Sequence, residues 1–425
     1  MDVQLGWRKR ARAVMLAFLG AGVVACSEDL EGGAACPVLC PGQDVVVQDT
    51  TFDAVALDTA LVGFPALGLD PSLPLIWRAD TVDVRAVVRF DSLPSTFVKN
   101  GGDSTITAID SAYVVLVVKD TTTVVRGQVR IDVYDVDTTA ADSSLAAIRA
   151  LFRDDRLVGG TTFDSAQVKD SVKVFLNNGR LLQKIVGKQR LRLGFRATSV
   201  AGARPITVDL GSVDGGESPF LRFDPAPADT AIKAVTVSPR SKTPPNQPAL
   251  ALDFTDYSLV FAAPPPPSDG SLSVGGMPAR RSYLRFDIPA RILDSATVLR
   301  ATLILTQKPN RSVLARDSVT IVPQLVTAGN VVTDLYRSSI LISAFAFDSL
   351  RVAPGDSGIR TLEIATAVRQ WNGTDVFQSQ RAVVLRSTME AVSAIELQFY
   401  STEAAPSLRP RLRVNYALRS SFGIP

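Results

Sequence analysis

Hydrophobic and polar residues alternate along two neighbouring segments in the second half of the chain. In the segment 281–289, apolar Leu284 and Phe286 alternate with polar or charged neighbours. A period of two is typical of a half-buried β-strand, because successive side chains point to opposite faces of the sheet. Pro289 ends this strand, since proline has no N–H group to donate to a neighbouring strand. The apolar positions of the segment 293–306 predict a second strand directly after it.

The same kind of strand pair occurs earlier, in the segments 84–94 and 109–118. Elsewhere Val, Ile, Thr and Phe occur in short runs broken by Gly, Pro, Asp and Ser, which indicates many short strands. Two segments favour helix instead: Asp142 is a candidate N-cap for a helix over 145–152, and 365–371 fits one or two turns. We therefore expect an all-β protein of two tandem jelly-roll-like β-sandwich domains, with one or two short helices in each.

The two halves of the sequence match at a spacing of about 190 residues. Arg386 in Arg-Ser-Thr follows Arg196 in Arg-Ala-Thr by 190 positions, and Ala301 follows Ala112 by 189. A period this long indicates duplicated domains, because solenoid repeats are much shorter. The predicted organisation is a signal peptide (1–25), a tether (26–48), a first sandwich (49–228), a proline-rich linker (229–247), a second sandwich (248–417) and a tail (418–425).

The N-terminus has the pattern of a secretory signal. Residues 8–12 are mostly basic, and the uncharged, largely apolar run 14–25 that follows is too short for a membrane span of about 20 residues. The end of this run, Val23-Val-Ala-Cys26, resembles a bacterial lipobox, which implies cleavage before Cys26 and lipidation of that cysteine. Ser27, in place of Asp, resembles the lipoproteins that two-membrane bacteria send to the outer membrane. An ordinary signal peptide cleaved nearby is the alternative.

These features predict an exported protein with an outer-membrane lipid anchor, facing the periplasm or the cell surface. Its expected partner is the lipid bilayer, bound through acylated Cys26. The formal net charge is +3, but the segment 1–25 itself carries four basic residues against Asp2. The remaining chain is therefore near neutral, with arginines scattered along predicted strands. A solvated strand face explains them better than a nucleic-acid surface, so no nucleic-acid partner is expected.

Two further cysteines, Cys36 and Cys40, lie in the tether as Cys-Pro-Val-Leu-Cys. An oxidising compartment favours a disulfide between them, since one tight turn brings cysteines at this spacing within bonding range. A redox or metal-binding pair is the alternative. A metal would need further thiolates or histidines, and once Cys26 is lipidated the sequence has none.

The sequence contains no histidine. This excludes Ser-His-Asp triads, histidine metal ligands and the usual general base near neutral pH. Neither a Gly-x-Ser-x-Gly segment nor a Gly-rich phosphate loop follows a predicted strand, so we expect no catalytic centre, cofactor or metal site. The acidic pairs Asp154-Asp155 and Asp135-Val-Asp137 are candidates for acid–base or calcium chemistry, but aspartates in turns and caps are the simpler interpretation.

Five aromatic residues are candidates for stacking on sugar rings: Trp77, Tyr113, Tyr134, Tyr283 and Tyr400. Most lie in alternating strand patterns, so packing in or beside a core is the default expectation. Trp371 is assigned to the core, because it follows Val368 by three residues on a predicted helical turn.

Four groups of segments in the second half share a family pattern: Tyr283-Leu-Arg-Phe-Asp-Ile-Pro289, Val298–Leu305, Leu362-Glu-Ile364 with Val368-Arg-Gln-Trp371, and Leu397–Ser401 with Arg409–Tyr416. Together they resemble the DNRLRE family of extracellular β-sandwich domains, over roughly residues 250–416. The first half matches more loosely and lacks a tryptophan where Trp371 stands. The resemblance implies a surface or secreted protein, found beside enzymes or adhesins, and some relatives resemble carbohydrate-binding modules.

The sequence favours a non-catalytic binding or adhesive module at the cell envelope, with a glycan or an envelope component as its ligand. A purely structural envelope protein without a small ligand is the alternative. A glycan-active enzyme that works with carboxylates alone ranks last, and it would need two facing carboxylates in a cleft.

Overall fold

The computed structural model describes residues 46–64, 71–79, 81–138, 144–200, 204–226, 232–242, 252–263, 270–310, 318–346, 348–371, 378–390 and 393–419. Most of these residues lie in antiparallel strands, and the helices are few and short. The expected all-β sandwich fold is therefore confirmed.

The first half of the chain, residues 46–242, contributes fourteen strands. They are β1 Val47–Phe52, β2 Val55–Phe64, β3 Ser72–Arg78, β4 Val82–Arg89, β5 Thr96–Lys99, β6 Gly102–Thr105, β7 Ile109–Val117, β8 Val129–Asp135, β9 Leu157–Phe163, β10 Ser171–Phe175, β11 Arg192–Ser199, β12 Ile206–Gly211, β13 Phe220–Pro225 and β14 Val235–Val237. One sheet has the order β12-β3-β4-β11-β8-β9, a second has the order β10-β7-β13-β14, and β5 and β6 form a separate hairpin.

The second half, residues 252–419, contributes the remaining strands. They are β15 Asp256–Ala262, β16 Leu272–Gly275, β17 Ala279–Phe286, β18 Ala296–Lys308, β19 Val319–Val326, β20 Ile342–Ala346, β21 Leu350–Val352, β22 Gly358–Glu363, β23 Ala382–Ser387, β24 Glu396–Phe399 and β25 Arg411–Leu418. Ten of them join β1 and β2 in one hydrogen-bonded sheet, whose main path is β1-β25-β18-β24-β16-β17-β23-β19-β20.

Each half encloses its own hydrophobic core. In the first half, Val88 on β4 and Val114 on β7 belong to one buried cluster, although their strands lie in different sheets. In the second half, Leu284 on β17, Leu303 on β18 and Leu385 on β23 share another cluster. Because strands from separate parts of the sheet meet in one cluster, each half has two packed layers.

Five short α-helices lie among the described residues: α1 Leu145–Arg149, α2 Asn178–Val186, α3 Ala290–Leu293, α4 Leu335–Ile340 and α5 Ala365–Gln370. The helix predicted over 145–152 is confirmed as α1, although it ends at Arg149 and its cap is Ser144, whose Oγ accepts the N–H of Ala147 at 3.3 Å. The proposed cap, Asp142, lies outside the described residues. None of the helices in the described part of the chain has the length and hydropathy that a membrane span requires.

The helix predicted near 365–371 is α5. Trp371 follows it directly, is 1% exposed, and stacks on Phe286 with ring centroids 5.5 Å apart. The expectation that this tryptophan lies in the core is therefore confirmed.

Three strands pair across the halves, the first being β1, which pairs with β25. β2, which the sequence assigns to the first sandwich, pairs with β17, and β15, which it assigns to the second, pairs with β4. The proposed linker 229–247 contains β14, which pairs with β13. The domain boundaries stay a prediction. The strands of the two largest sheets do not all come from one predicted domain. An alternating pattern identifies a strand but does not specify which strand lies beside it.

Candidate functional site

A polar cleft of about 530 Å³ lies between the first and the second half of the chain. Polar residues from both halves line it, among them Thr122, Thr207 and Asp209 from the first half and Thr320, Arg351 and Thr388 from the second. Concave sites with a few converging polar groups are the usual form of ligand sites. This inter-half cleft is the strongest candidate for a binding site among the described residues.

Strand β12 positions two of the polar groups through its alternation. Its side chains Ile206, Val208 and Leu210 belong to the first core. Thr207 and Asp209 therefore lie on the opposite face, which borders the cleft. The same strand thus supports the core with one face and the cleft with the other.

Asp209 is 3% exposed, and only one of its carboxylate oxygens is bonded within the protein. Thr122 Oγ1 donates to Oδ2 at 2.5 Å, and the backbone N–H of Asp209 donates to Thr123 Oγ1 at 3.0 Å. Oδ1 has no hydrogen-bond partner of normal geometry. A buried acceptor without a donor costs free energy, so a donor supplied by a ligand is favourable at this oxygen.

Thr207 has a second unpaired polar atom in the same wall. Its backbone is fixed by two hydrogen bonds with Val124, at 2.7 and 2.9 Å. Its Oγ1 is buried and has no partner. The hydroxyl can both donate and accept, so Thr207 and Asp209 each place a buried polar atom without a partner beside the cleft.

Burial raises the pKa of Asp209 above its ordinary value, because desolvation penalises the ionised form. Hydrogen bonds from Thr122 and Ser72 lower the pKa, as does the charge of Lys119. Burial is the largest of these effects, so the carboxyl group titrates above its usual range.

The opposite wall is supplied by β19, β21 and the residues after β23. Arg351, on β21, donates from Nε to Ser318 Oγ at 2.7 Å, which orients its exposed guanidinium group. The backbone N–H of Thr388 donates to the carbonyl of Thr320 at 2.9 Å and joins two segments of this wall. The cleft therefore has a carboxylate on one wall and a guanidinium group on the other.

The cleft combines apolar side chains with its polar groups. Val319, Met389 and Ile395 add apolar surface beside the hydroxyl groups. Asp209 is the one carboxylate among the described lining residues, whereas glycoside hydrolysis generally uses a pair. The described residues also contain no group of three or more Cys, Asp or Glu side chains placed to hold a metal ion.

The three site residues predicted from the sequence lie outside the described residues. They are the lipid-attachment residue Cys26 and the disulfide pair Cys36 and Cys40. All three assignments stay predictions.

The candidate sugar-stacking aromatics do not line the cleft. Tyr134 and Tyr283 are buried in hydrophobic clusters, and Trp77 packs against the first core. Tyr113 meets Phe175 edge-on, with ring centroids 6.0 Å apart. Tyr400 is half-buried. The expectation that such residues pack in or beside a core is confirmed for Trp77, Tyr134 and Tyr283.

The acidic pairs are held in ion pairs. Asp137 is buried and lies 2.8 Å from Arg190 Nε, and Asp135 lies 3.0 Å from Lys184 Nζ. Asp155 lies 2.8 Å from Arg153 Nε, at the start of a short 3-10 helix. Asp135, Asp137 and Asp155 are therefore each paired with a basic side chain.

Sequence reasoning did not single out Thr207 or Asp209. The alternation in Ile206-Thr-Val-Asp-Leu-Gly211 identifies a strand with one polar face. The sequence does not show that both faces of β12 are buried, because its polar face lies against residues of the other half that are more than a hundred positions away.

No family model matches the chain, and no curated protein matches it. Among solved structures, T=1 particles derived from infectious bursal virus are 10% identical, over 86% of this chain and 75% of that chain, with a TM-score of 0.11. Structural similarity at that TM-score gives no information about the fold or the function of this chain. The resemblance to DNRLRE domains therefore rests on the sequence segments alone.

Proposed function

We propose that this protein is an exported, lipid-anchored binding module that holds a hydroxyl-rich glycan of the cell envelope in the inter-half cleft. The observation on which this proposal rests is the environment of the Asp209 carboxylate. Its carboxylate is buried at the cleft wall, and its Oδ1 has no partner within the protein.

The surrounding groups explain the choice of ligand class. Sugar hydroxyls donate to a carboxylate and accept from a guanidinium group, and the cleft places Asp209 and Arg351 on opposite walls. Thr122, Thr207, Thr320 and Thr388 also line the cleft, and because Thr122 and Thr388 already donate within the protein, their hydroxyl oxygens remain as acceptors. The apolar side chains of Val319 and Ile395 suit the C–H face of a sugar ring.

The cell-envelope location rests on the sequence. The basic segment, the short apolar run and Cys26 favour export and lipid attachment, and the resemblance to DNRLRE domains favours an extracellular β-sandwich. If Cys26 carries the anchor, the acylated N-terminal peptide is detectable by mass spectrometry of the membrane fraction, and Cys26→Ala releases the protein from membranes. A membrane-bound Cys26→Ala protein contradicts the anchor.

A glycan array tests the binding function. Full-length protein carrying Cys26→Ala is compared with the same protein carrying Asp209→Asn, which keeps the size of the side chain but removes its charge. We expect the first protein to bind a set of related envelope glycans and the second to lose at least ten-fold in affinity. Asp103→Asn is the matched control, because Asp103 is exposed on the β5–β6 hairpin and does not line the cleft.

An array on which the unsubstituted protein binds no glycan contradicts the proposal and favours the structural envelope protein. Equal binding by the Asp209→Asn protein also contradicts it, because the cleft would then not be the site.

A further inference from the structure

Two of the strands that pair across the halves, β2 and β15, occupy equivalent places. β2 pairs antiparallel with β17, and β15 pairs antiparallel with β4. The acceptor strands are counterparts, since Arg89-Phe-Asp91 at the end of β4 recurs 196 positions later as Arg285-Phe-Asp287. In the chain, β2 precedes the paired strands β3 and β4 of the first half, but it pairs in the second half. Likewise β15 precedes the paired strands β16 and β17 of the second half, but it pairs in the first half.

The registers of the two pairings agree over five residues of each strand, 58–62 of β2 and 256–260 of β15. Asp58 of β2 lies opposite Leu284, and Asp256 of β15 lies opposite Val88. In both cases the aspartate faces the residue directly before the arginine of the acceptor strand. Both pairings also shift register near the other end, at the step after Val62 in β2 and after Val260 in β15.

The sequences of the two strands agree once this register is known. Asp58-Thr-Ala-Leu-Val62 and Asp256-Tyr-Ser-Leu-Val260 share the aspartate, a small third residue, and Leu-Val. Leu61 lies opposite Arg281, and Leu259 lies opposite Arg85, its counterpart. Equal spacing in two pairs of strands is not required by sheet geometry, which permits any even shift that keeps the buried face.

The two aspartates make the same additional bond. Asp58 accepts the N–H of Thr402 at 2.8 Å, and Asp256 accepts the N–H of Val213 at 2.7 Å. Thr402 and Val213 follow the counterpart strands β24 and β12, and they lie 189 positions apart, close to the spacing of the duplication. Each exchanged strand is thus fixed to its acceptor half by a carboxylate as well as by backbone pairing.

We propose that each half carries a strand-acceptor slot, and that the slot on β17 binds an opening strand of the pattern Asp-x-x-Leu-Val. In the intact chain β2 fills this slot. When β2 is detached, the slot takes the β2 strand of a second copy of the chain. The protein is in this sense a strand-exchanged dimer of one ancestral unit, joined into a single polypeptide.

The test uses the full chain with a protease site introduced into residues 65–71, between β2 and β3. The protein is purified folded and then cut. We expect the fragment that ends in β2 to stay bound during size-exclusion chromatography, because β2 stays paired with β17 and β1 stays paired with β25. A fluorescent synthetic peptide of residues 53–64 should exchange into the cut protein and not into the uncut protein.

Three further peptides define the slot. The peptide with Asp58→Asn should bind at least ten-fold more weakly, because it loses the charged acceptor for Thr402. The peptide with Asp53→Asn should bind as the unchanged peptide does, since Asp53 is exposed. A peptide of residues 251–262, which carries β15, should compete for the same slot.

Release of the β2 fragment with no change in the melting temperature of the remainder overturns the proposal, as does a β15 peptide that fails to compete. If the cut chain unfolds, two uncut variants decide. Asp58→Asn and Asp256→Asn should each lower the melting temperature by a similar amount, with Asp53→Asn as the unaffected control. A shift in only one of them shows that the slots are not equivalent.

Discussion

Asp209 illustrates how one side chain links folding to the candidate site. Its neighbours Val208 and Leu210 are buried in the first core, which fixes β12 and leaves the carboxylate no freedom to move away from the cleft. Thr122 donates to Oδ2, and Oδ1 has no hydrogen-bond partner of normal geometry. The cost of this unpaired acceptor is offset when a ligand hydroxyl donates to it.

Ligand binding in the cleft should depend on pH through Asp209. Burial raises its pKa above the ordinary value, so the carboxyl group takes up its proton at a higher pH than an exposed aspartate does. Only the ionised form accepts a hydrogen bond at both oxygens, so affinity should increase as the pH rises through the pKa of Asp209. Titration calorimetry between pH 4 and 8 with the glycan found on the array measures this dependence.

The Asp209→Asn protein provides the control for that experiment. An amide does not titrate, so its weak binding should be independent of pH. A pH dependence that survives in Asp209→Asn assigns the effect to another group and contradicts this role of Asp209.

At the scale of single residues, the sequence predicted chemistry poorly. The absence of histidine was informative, and the core position of Trp371 followed from its spacing to Val368. Asp58, Asp209 and Asp256 resembled the many other aspartates in the chain. Their roles depend on partners that lie far away in sequence, and no local pattern encodes such a partner.

At the scale of elements, α5 and the strand β17 form a packed unit in the second core. Trp371, at the end of α5, stacks on Phe286 of β17. Trp371→Ala should reduce the free energy of unfolding by about 3–5 kcal/mol, as expected when a large buried aromatic is removed. Chemical denaturation followed by circular dichroism measures the loss.

Trp371→Phe is the matched variant for this prediction. It retains an aromatic ring against Phe286 and removes the indole N–H, which has no hydrogen-bond partner. It should therefore destabilise clearly less than Trp371→Ala. Equal losses in the two variants contradict the view that ring packing is what stabilises this contact.

The sequence predicted elements more reliably than their arrangement. The alternation around Leu284 identified β17, and the apolar positions of 293–306 identified β18. Helix α2 was missed, although Asn177 caps it and Leu181 and Ile185 form its buried face, because the surrounding strand pattern dominated the interpretation. The pairing of β2 with β17 was also missed, since alternation does not specify which strand lies alongside.

At the scale of the whole molecule, buried aspartates connect stability to pH. Burial outweighs the influence of Arg89 and raises the pKa of Asp91 to about 6, from an ordinary value of 3.8. Burial likewise raises the pKa of Asp58, Asp209 and Asp256. At a pH between the ordinary pKa and the raised pKa of such a group, the unfolded chain has lost the proton that the folded chain keeps. Ionisation of the group therefore favours unfolding.

The free energy of unfolding should therefore fall as the pH rises from about 4 to 6, by at most about 1.4 kcal/mol per pH unit for each such group. Asp91→Asn should make the dependence shallower, whereas Asp103→Asn should not change it. Urea denaturation at several pH values measures the slope. A free energy of unfolding that rises over this interval contradicts the assignment of raised pKa values to these aspartates.

The two halves together create the cleft, since each supplies one wall. The most direct measurement of this account is a crystal structure of the protein with the glycan that binds most tightly on the array. The account predicts ring hydroxyls within hydrogen-bond distance of Asp209 Oδ1 and Thr207 Oγ1, with the sugar between the two halves. A glycan bound elsewhere, such as beside the exposed Phe175 and its neighbour Tyr113, with the cleft free of ligand, would contradict it.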